Sequence, residues 1–277
     1  MSDLLQYWKL SSRPFEAPWD TRFFYRSAQH LEALDRLIYL VLEGSMNLGL
    51  LTGEIGCGKT LVRFVLQHQL AVSQFRIVAL ENSGFSMDDL VVAIVTRLSP
   101  PDLALPAGKL ARLELLHQLL EAQADAGRQV VVILDEAQDM PLETLNELRW
   151  LTNFNGGGRN LVTVILIGQS NLRPLVEAVP AINQRISLRY HLQPLSEEDV
   201  SAYLVHRMHM AGHPNGQVFE PNAAILLHRL SRGVPREVNR LAKLALEYGW
   251  MCQTPYIQSD HIMIIAQDLH RQQALPA

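Results

Sequence analysis

Gly53-Glu54-Ile55-Gly56-Cys57-Gly58-Lys59-Thr60 satisfies the pattern GxxxxGK[ST] in full, with Leu61 following it. Alone, such a stretch is a glycine-rich turn. Its flanks give it more content. Asn47–Thr52 upstream is an apolar run of strand length, and a helical pattern extends from Lys59 to about Val72. In a strand, glycine-rich turn and helix of this order, main-chain N–H groups close round phosphate oxygens and the helix N-terminus adds favourable dipole charge. Lys59 then suits the β- and γ-phosphates of ATP, and the Thr60 hydroxyl suits Mg²⁺. The predicted cradle is Gly53, Glu54, Ile55, Gly56, Cys57, Gly58, Lys59, Thr60 and Leu61.

A P-loop needs a second strand that delivers carboxylates. Val130-Val131-Val132-Ile133-Leu134-Asp135-Glu136 is apolar up to two acids. Asp135 is expected in the Mg²⁺ shell, and Glu136 is expected to polarise the attacking water. Many strands end in acidic turns, so it is the P-loop upstream that gives the pair its meaning.

Short apolar runs alternate with helical patterns over the first two thirds of the chain. Phe75–Glu81, Val130–Asp135, Val162–Gly168 and Ile186–Leu192 read as further strands. Met87–Leu98, Lys109–Ala126 and Leu142–Phe154 read as helices, with a break at Pro100, Pro101 and Pro106. Strands apolar on both faces and separated by helices predict a parallel sheet covered on both sides, with chemistry at the carboxyl ends of the strands. After Pro194 the strand-like runs almost vanish. Ser196 opens a helix to about Ala211, and Pro221–Ser231, Pro235–Met251 and Ser259–Arg271 follow as three more. The expected organisation is an α/β core over residues 1–193 and a helical lid over residues 194–277.

The 277 residues are 48% hydrophobic and 19% charged, with a formal charge of -4. The pI of about 6.2 supplies no global basic field for nucleic acid or anionic lipid. Cys57 and Cys252 are the two cysteines and neither lies in a CxxC or Cys/His cluster, which fits a reducing compartment. His206 and His209 read as helix histidines rather than metal ligands. Met1–Ser12 has no apolar core of a signal peptide, and no uncharged apolar run approaches the ~20 residues of a membrane span. A cytoplasmic location is expected.

Three further polar positions matter by their place. Gln169 ends the fourth strand, where its amide could meet a γ-phosphate or water, or cap a loop. Arg185 precedes the fifth strand and Arg189 lies in it. Either could place positive charge on a neighbouring subunit's transition state, or form a surface ion pair. Gly233-Val234-Pro235-Arg236 puts a cation at a helix N-terminus, against the dipole, so Arg236 answers to something else, a nucleotide phosphate being one candidate.

Gly53–Thr60, Asp135-Glu136, Gln169, Arg185 and Gly233–Arg236 resemble, in order, Walker A, Walker B, sensor 1, the arginine finger and sensor 2 of the AAA+ ATPases. More narrowly, the chain resembles the ATPase domain of the ExeA (GspA) family. Pro14-Phe15, Phe23-Phe24-Tyr25-Arg26-Ser27, Thr52–Thr60 and Ile165–Gln169 carry that resemblance. Asn183–Ile186, Leu192–Leu195 and Pro235–Asn239 complete it. The resemblance implies a RecA-like core with a helical lid, and ATP hydrolysis in a homo-oligomer, ring or filament. It also implies a membrane partner, with which a type II secretion or pilus-type assembly is inserted through the peptidoglycan. Longer members continue into a transmembrane helix and a peptidoglycan-binding domain. This sequence ends at Ala277, so membrane contact is expected through a partner. The chain is similar as well to TnsC/TniB-type transposition regulators, which form filaments on DNA and recruit a transposase. The acidic pI weighs against that alternative.

Overall fold

The computed structural model describes residues 2–16, 19–81, 84–100, 102–156 and 158–274, so Pro101 of the expected break lies outside them. The chain divides into two compact units. One comprises Glu32–Gly53 and Val62–Leu192; the other comprises Met1–Leu31, Glu54–Leu61 and Gln193–Ala277.

The first unit is built on β1 (Leu48–Gly53), β2 (Phe75–Leu80), β3 (Gln129–Leu134), β6 (Val162–Gly168) and β7 (Leu188–Leu192). They form one parallel sheet in the order β2-β3-β6-β1-β7. β1 and β6 are buried along their whole length and β3 nearly so, whereas β2 and β7 alternate with more exposed positions. That is the pattern expected of central strands covered on both faces and of edge strands that meet solvent. A two-stranded antiparallel ribbon, β4 (Asn155–Gly156) with β5 (Arg159–Asn160), precedes β6.

One face of the sheet presents Leu48, Leu50, Val130, Val132, Leu134, Val164 and Leu166 to α4 (Met87–Leu98), α5 (Lys109–Asp125) and α6 (Leu142–Glu147). Short α7 (Leu172–Glu177) and α8 (Pro180–Asn183) join the same core through Leu172, Val176 and Ile182. Each such side chain, fully buried, contributes about 1.5–3 kcal/mol. α2 (Ala28–Glu43) sets Leu40 directly against Gly49 of β1. A Cβ at Gly49 would stand 2.4 Å from Leu40 Cδ2, so the glycine admits the helix. α3 (Lys59–Gln69) leaves the P-loop and runs into this unit.

Leu142–Phe154 is not the single helix the periodicity predicts. α6 ends at Glu147 and a 3₁₀ segment continues over Leu148–Asn153. Leu145, Leu148 and Leu151 are buried at a spacing of three, which a 3₁₀ helix aligns on one face. Thr152 Oγ1 also donates to the Arg149 carbonyl at 2.7 Å.

The second unit is helical: α1 (Ser2–Tyr7), a 3₁₀ turn at Thr21–Phe23, α9 (Glu197–Met210), α10 (Pro221–Ser231), α11 (Pro235–Met251) and α12 (Ser259–Ala274). Ser196 caps α9 by accepting the Asp199 N–H at 3.1 Å. Trp8, Phe23, Leu204, Leu227 and Leu246 share its core. Within that core Arg207 lies 4.3 Å over the Phe23 ring and donates from Nε to the Pro14 carbonyl.

Candidate functional site

β1 enters the glycine-rich loop at Gly53, whose Cβ position is 2.7 Å from the Leu192 carbonyl of β7. Within the helical unit the loop Glu54–Leu61 is held from several sides. Gly56, at φ +85°, accepts the Arg236 N–H on its carbonyl at 3.2 Å. A side chain at Gly56 would meet Arg236 Cβ at 2.7 Å, so the first turn of α11 lies directly on the loop. Gly58, at φ +98°, leaves room for the His30 ring, whose Nε2 is 2.9 Å from a Cβ placed there. His30 Nε2 also lies 2.9 Å from the Cys57 carbonyl, and its Nδ1 lies 2.7 Å from Ser27 Oγ. Lys59 Nζ donates to the Glu54 carbonyl at 3.0 Å, and Thr60 stands in the first turn of α3. Burial pushes the Cys57 thiol up and the His30 imidazole down from their ordinary values.

The parallel sheet brings the ends of β3 and β6 side by side, with Leu134 level with Leu166. Asp135 extends β3 by donating its N–H to the Leu80 carbonyl at 2.9 Å, and its carboxylate is buried. Arg63 of α3, itself buried, holds that carboxylate in an ion pair at 3.1 Å and donates to Glu81 at 3.0 Å. Glu136 adopts the left-handed conformation, φ 51°, which turns the chain sharply into the 3₁₀ segment Ala137–Asp139. Gln138 Nε2 donates to Glu136 Oε2 at 2.8 Å, and Gln169 Nε2 lies 3.4 Å from the same oxygen. So Asp135, Glu136 and Gln169 come together at the carboxyl edge of the sheet.

Arg185 and Arg189 do not join them. Ser187 donates to the carbonyl of Leu48, the first residue of β1, so the chain around Arg185 lies at the amino edge of the sheet. Arg185 donates to the Ala181 carbonyl and to Asn153 Oδ1, each at 3.1 Å. Arg189 is exposed on β7 and donates to Asn183.

The donor set fits the group the motif implies. Gly56 and Gly58 supply the positive φ values that a phosphate-cradling loop requires. The Thr60 hydroxyl and, in the other unit, the Asp135 carboxylate are each oxygens of the hard kind that Mg²⁺ takes. Among the described residues no cluster of three or more His, Cys, Asp or Glu is placed to hold a metal ion, and a phosphate-bound Mg²⁺ needs none.

Residues 43–176 match the family model described as an AAA domain. The chain is 38% identical over 247 residues to general secretion pathway protein A (GspA) of Aeromonas hydrophila, covering 87% of this chain and 44% of that protein. It thus spans less than half the length of this curated relative. Among solved structures it is similar to the Aeropyrum pernix ORC2 protein in its ADPNP-ADP complexes. There the TM-score is 0.67 at 16% identity, over 93% of this chain and 75% of that one. The Thermotoga maritima RuvB Holliday junction branch migration motor gives a TM-score of 0.57 at 17% identity, over 86% and 69%. Residues 43–176 therefore form an AAA domain, and the chain has the fold of the AAA+ ATPases.

Three residues of this AAA+ chain escape a reading by motif. His30 and Arg63 touch the motif residues through tertiary contacts, and Gln138 joins Glu136, two residues before it, to Gln169 on the far side of a tertiary contact. Arg63 carries a weak sequence signal, since a charged residue one turn after Lys59 on a buried helix face requires a partner. His30 and Gln138 carry none. Among the described residues of this ATPase no helix is long and apolar enough to cross a membrane.

Proposed function

We propose that the chain binds MgATP through residues 53–61, hydrolyses it in a homo-oligomer, and acts as the motor or assembly factor of a secretion or pilus-type system. The observation that carries the chemistry is the Glu136 carboxylate at the carboxyl edge of the sheet, with the Gln138 amide bonded to it and Gln169 beside it. Lys59 exchanges its bond to the Glu54 carbonyl for oxygens of the β- and γ-phosphates. The Thr60 hydroxyl and the Asp135 carboxylate are the residues that would hold Mg²⁺. When bound, the ion supplies positive charge that draws electron density from the γ-phosphoryl group. Glu136 takes a proton from water as the water oxygen bonds to the γ-phosphorus. The bond from phosphorus to the β–γ bridging oxygen breaks, and ADP and phosphate leave. Gln169 orients the water or the γ-phosphate, Arg236 faces a phosphate from the start of α11, and Arg185 serves a neighbouring subunit.

The secretion role rests on the similarity to GspA, of which this chain covers 44%. On this reading residues 1–193 are the AAA+ core and residues 194–277 a lid. The protein works in the cytoplasm, peripheral to the inner membrane through a protein partner. Calorimetry of Lys59→Ala with MgATP tests the foundation. Removing the charge that neutralises the phosphates should abolish tight binding, and an unchanged affinity would remove the P-loop assignment.

A further inference from the structure

Gln138 has no part in the motif chemistry, yet its amide makes three hydrogen bonds at the edge of the sheet. It is buried on the 3₁₀ turn after the acidic pair. Its Nε2 donates to Glu136 Oε2 at 2.8 Å and to Asp139 Oδ2 at 3.3 Å, while its Oε1 accepts the main-chain N–H of Gln169 at 3.0 Å. Chemistry fixes the orientation of this amide. A main-chain N–H can only donate and so faces Oε1; a carboxylate only accepts and so faces Nε2. Gln169 Nε2, 3.4 Å from the same Glu136 oxygen, closes the loop of contacts.

Two backbone features make room for this arrangement. Glu136 sits in the left-handed region, where a non-glycine residue costs about 1–2 kcal/mol, a strain the bonds of its neighbours must offset. Gly168, at the end of β6, has a Cβ position only 2.8 Å from Gln138 Oε1, so any side chain there would push the amide away.

We propose that Gln138 is a positioning residue that ties the Glu136 carboxylate to the main chain of Gln169, so that the end of β3 and the end of β6 move as one. The proposal deepens the reading above and rests on it: Glu136 is the group that takes the proton from water, and Gln169 lies beside the γ-phosphate. Gln138 is itself buried, and both ends of its amide are taken up by protein atoms. Its loss should therefore leave ATP binding intact and misplace the base, an error that costs as much as 10²-fold when it approaches about 1 Å.

A double-mutant cycle on the full chain tests it. In Gln138→Leu, which keeps volume and removes the amide, kcat should fall about 10- to 100-fold with the KM for MgATP changed less than about threefold. In a Glu136→Gln background the same substitution should lower the residual rate by less than about threefold, because it acts through a carboxylate already gone. Gln138→Glu keeps an acceptor for Gln169 and sets a second carboxylate against Glu136. It should fall as far as the leucine variant, and it decides the matter if Gln138→Leu fails to bind ATP. Equal losses in both backgrounds, or a wild-type kcat in the Gln138 variants while Glu136→Gln is inactive, would overturn the role of Gln138 alone. Wild-type turnover in Glu136→Gln would overturn the assignment of the base, and the role of Gln138 with it.

Discussion

His30 shows how much a single side chain outside the motif can hold. The Cys57 carbonyl is an acceptor, so Nε2 carries the proton. Nδ1 then accepts from the Ser27 hydroxyl, whose oxygen also takes the His30 main-chain N–H at 3.3 Å. Every polar atom of the neutral ring is satisfied. His30→Leu leaves a P-loop carbonyl and a serine hydroxyl without that partner, a cost of about 1–3 kcal/mol, visible as weaker ATP binding in calorimetry and a lower Tm. His30→Gln, whose amide can donate to Cys57, should recover part of both. Burial is the largest influence on the imidazole and holds its pKa below 6.5, with the bond to Cys57 and the charge of Asp199 acting the other way. The unfolded chain then takes up the proton first as pH falls. The contribution to stability is complete above about pH 6.5 and is lost on acidification towards the folded value. His206 and His213 are shifted in the same direction, so the informative quantity is a difference. The Tm of His30→Gln should fall less steeply below about pH 6.5 than that of the wild type, and parallel slopes would contradict the assignment. Arg63 presents a starker case. Arg63→Leu deprives the buried Asp135 carboxylate of its cationic neighbour, and a loss of about 3 kcal/mol in chemical denaturation is expected.

At the scale of elements, the close approach of α2 to β1 depends on Gly49. Gly49→Val would drive a side chain into Leu40 of α2, and overpacking of this kind costs about 1–3 kcal/mol in a denaturant midpoint. Leu40→Ala in the same chain should return part of that loss. The strands were legible because a strand buried on both faces must be almost wholly apolar, and β3 and β6 are so apart from Gln129 and Thr163, which bond to each other. The P-loop was legible because its chemistry belongs to contiguous main chain, and α9, α10 and α11 because Ser196, Pro221 and Pro235 mark their starts. α2 has Leu34, Leu37, Leu40 and Val41 at helical spacing, but no motif marks it in the sequence. The 3₁₀ continuation after α6 was hidden because a spacing of three and a spacing of three-to-four look alike over two turns. His30 and Gln138 were illegible, and Arg63 nearly so, for a different reason: the partners that give them meaning, Cys57, Gln169 and Asp135, are brought to them only by packing.

At the scale of the whole molecule, the distance of Arg185 from the edge that carries Glu136 bears on how subunits cooperate. It lies at the amino edge of the sheet, so on the proposed reading it completes a neighbour's site rather than its own. Arg185→Ala and Lys59→Ala should each be inactive alone, and mixing them should restore turnover, since one keeps the P-loop and the other the arginine. If mixed oligomers form and stay inactive, Arg189 becomes the next residue to test. The secretion role predicts that duplex DNA neither stimulates turnover nor binds at physiological salt. Tight binding that weakens steeply with ionic strength would favour a transposition regulator instead. All of this presupposes that the chain hydrolyses ATP with Glu136. Phosphate release at saturating MgATP, measured for the wild type and Glu136→Gln with ATP affinity determined in parallel, tests it most directly. The account predicts unchanged affinity and a fall of ~10²-fold or more in the variant. Equal phosphate release by the two proteins would contradict it.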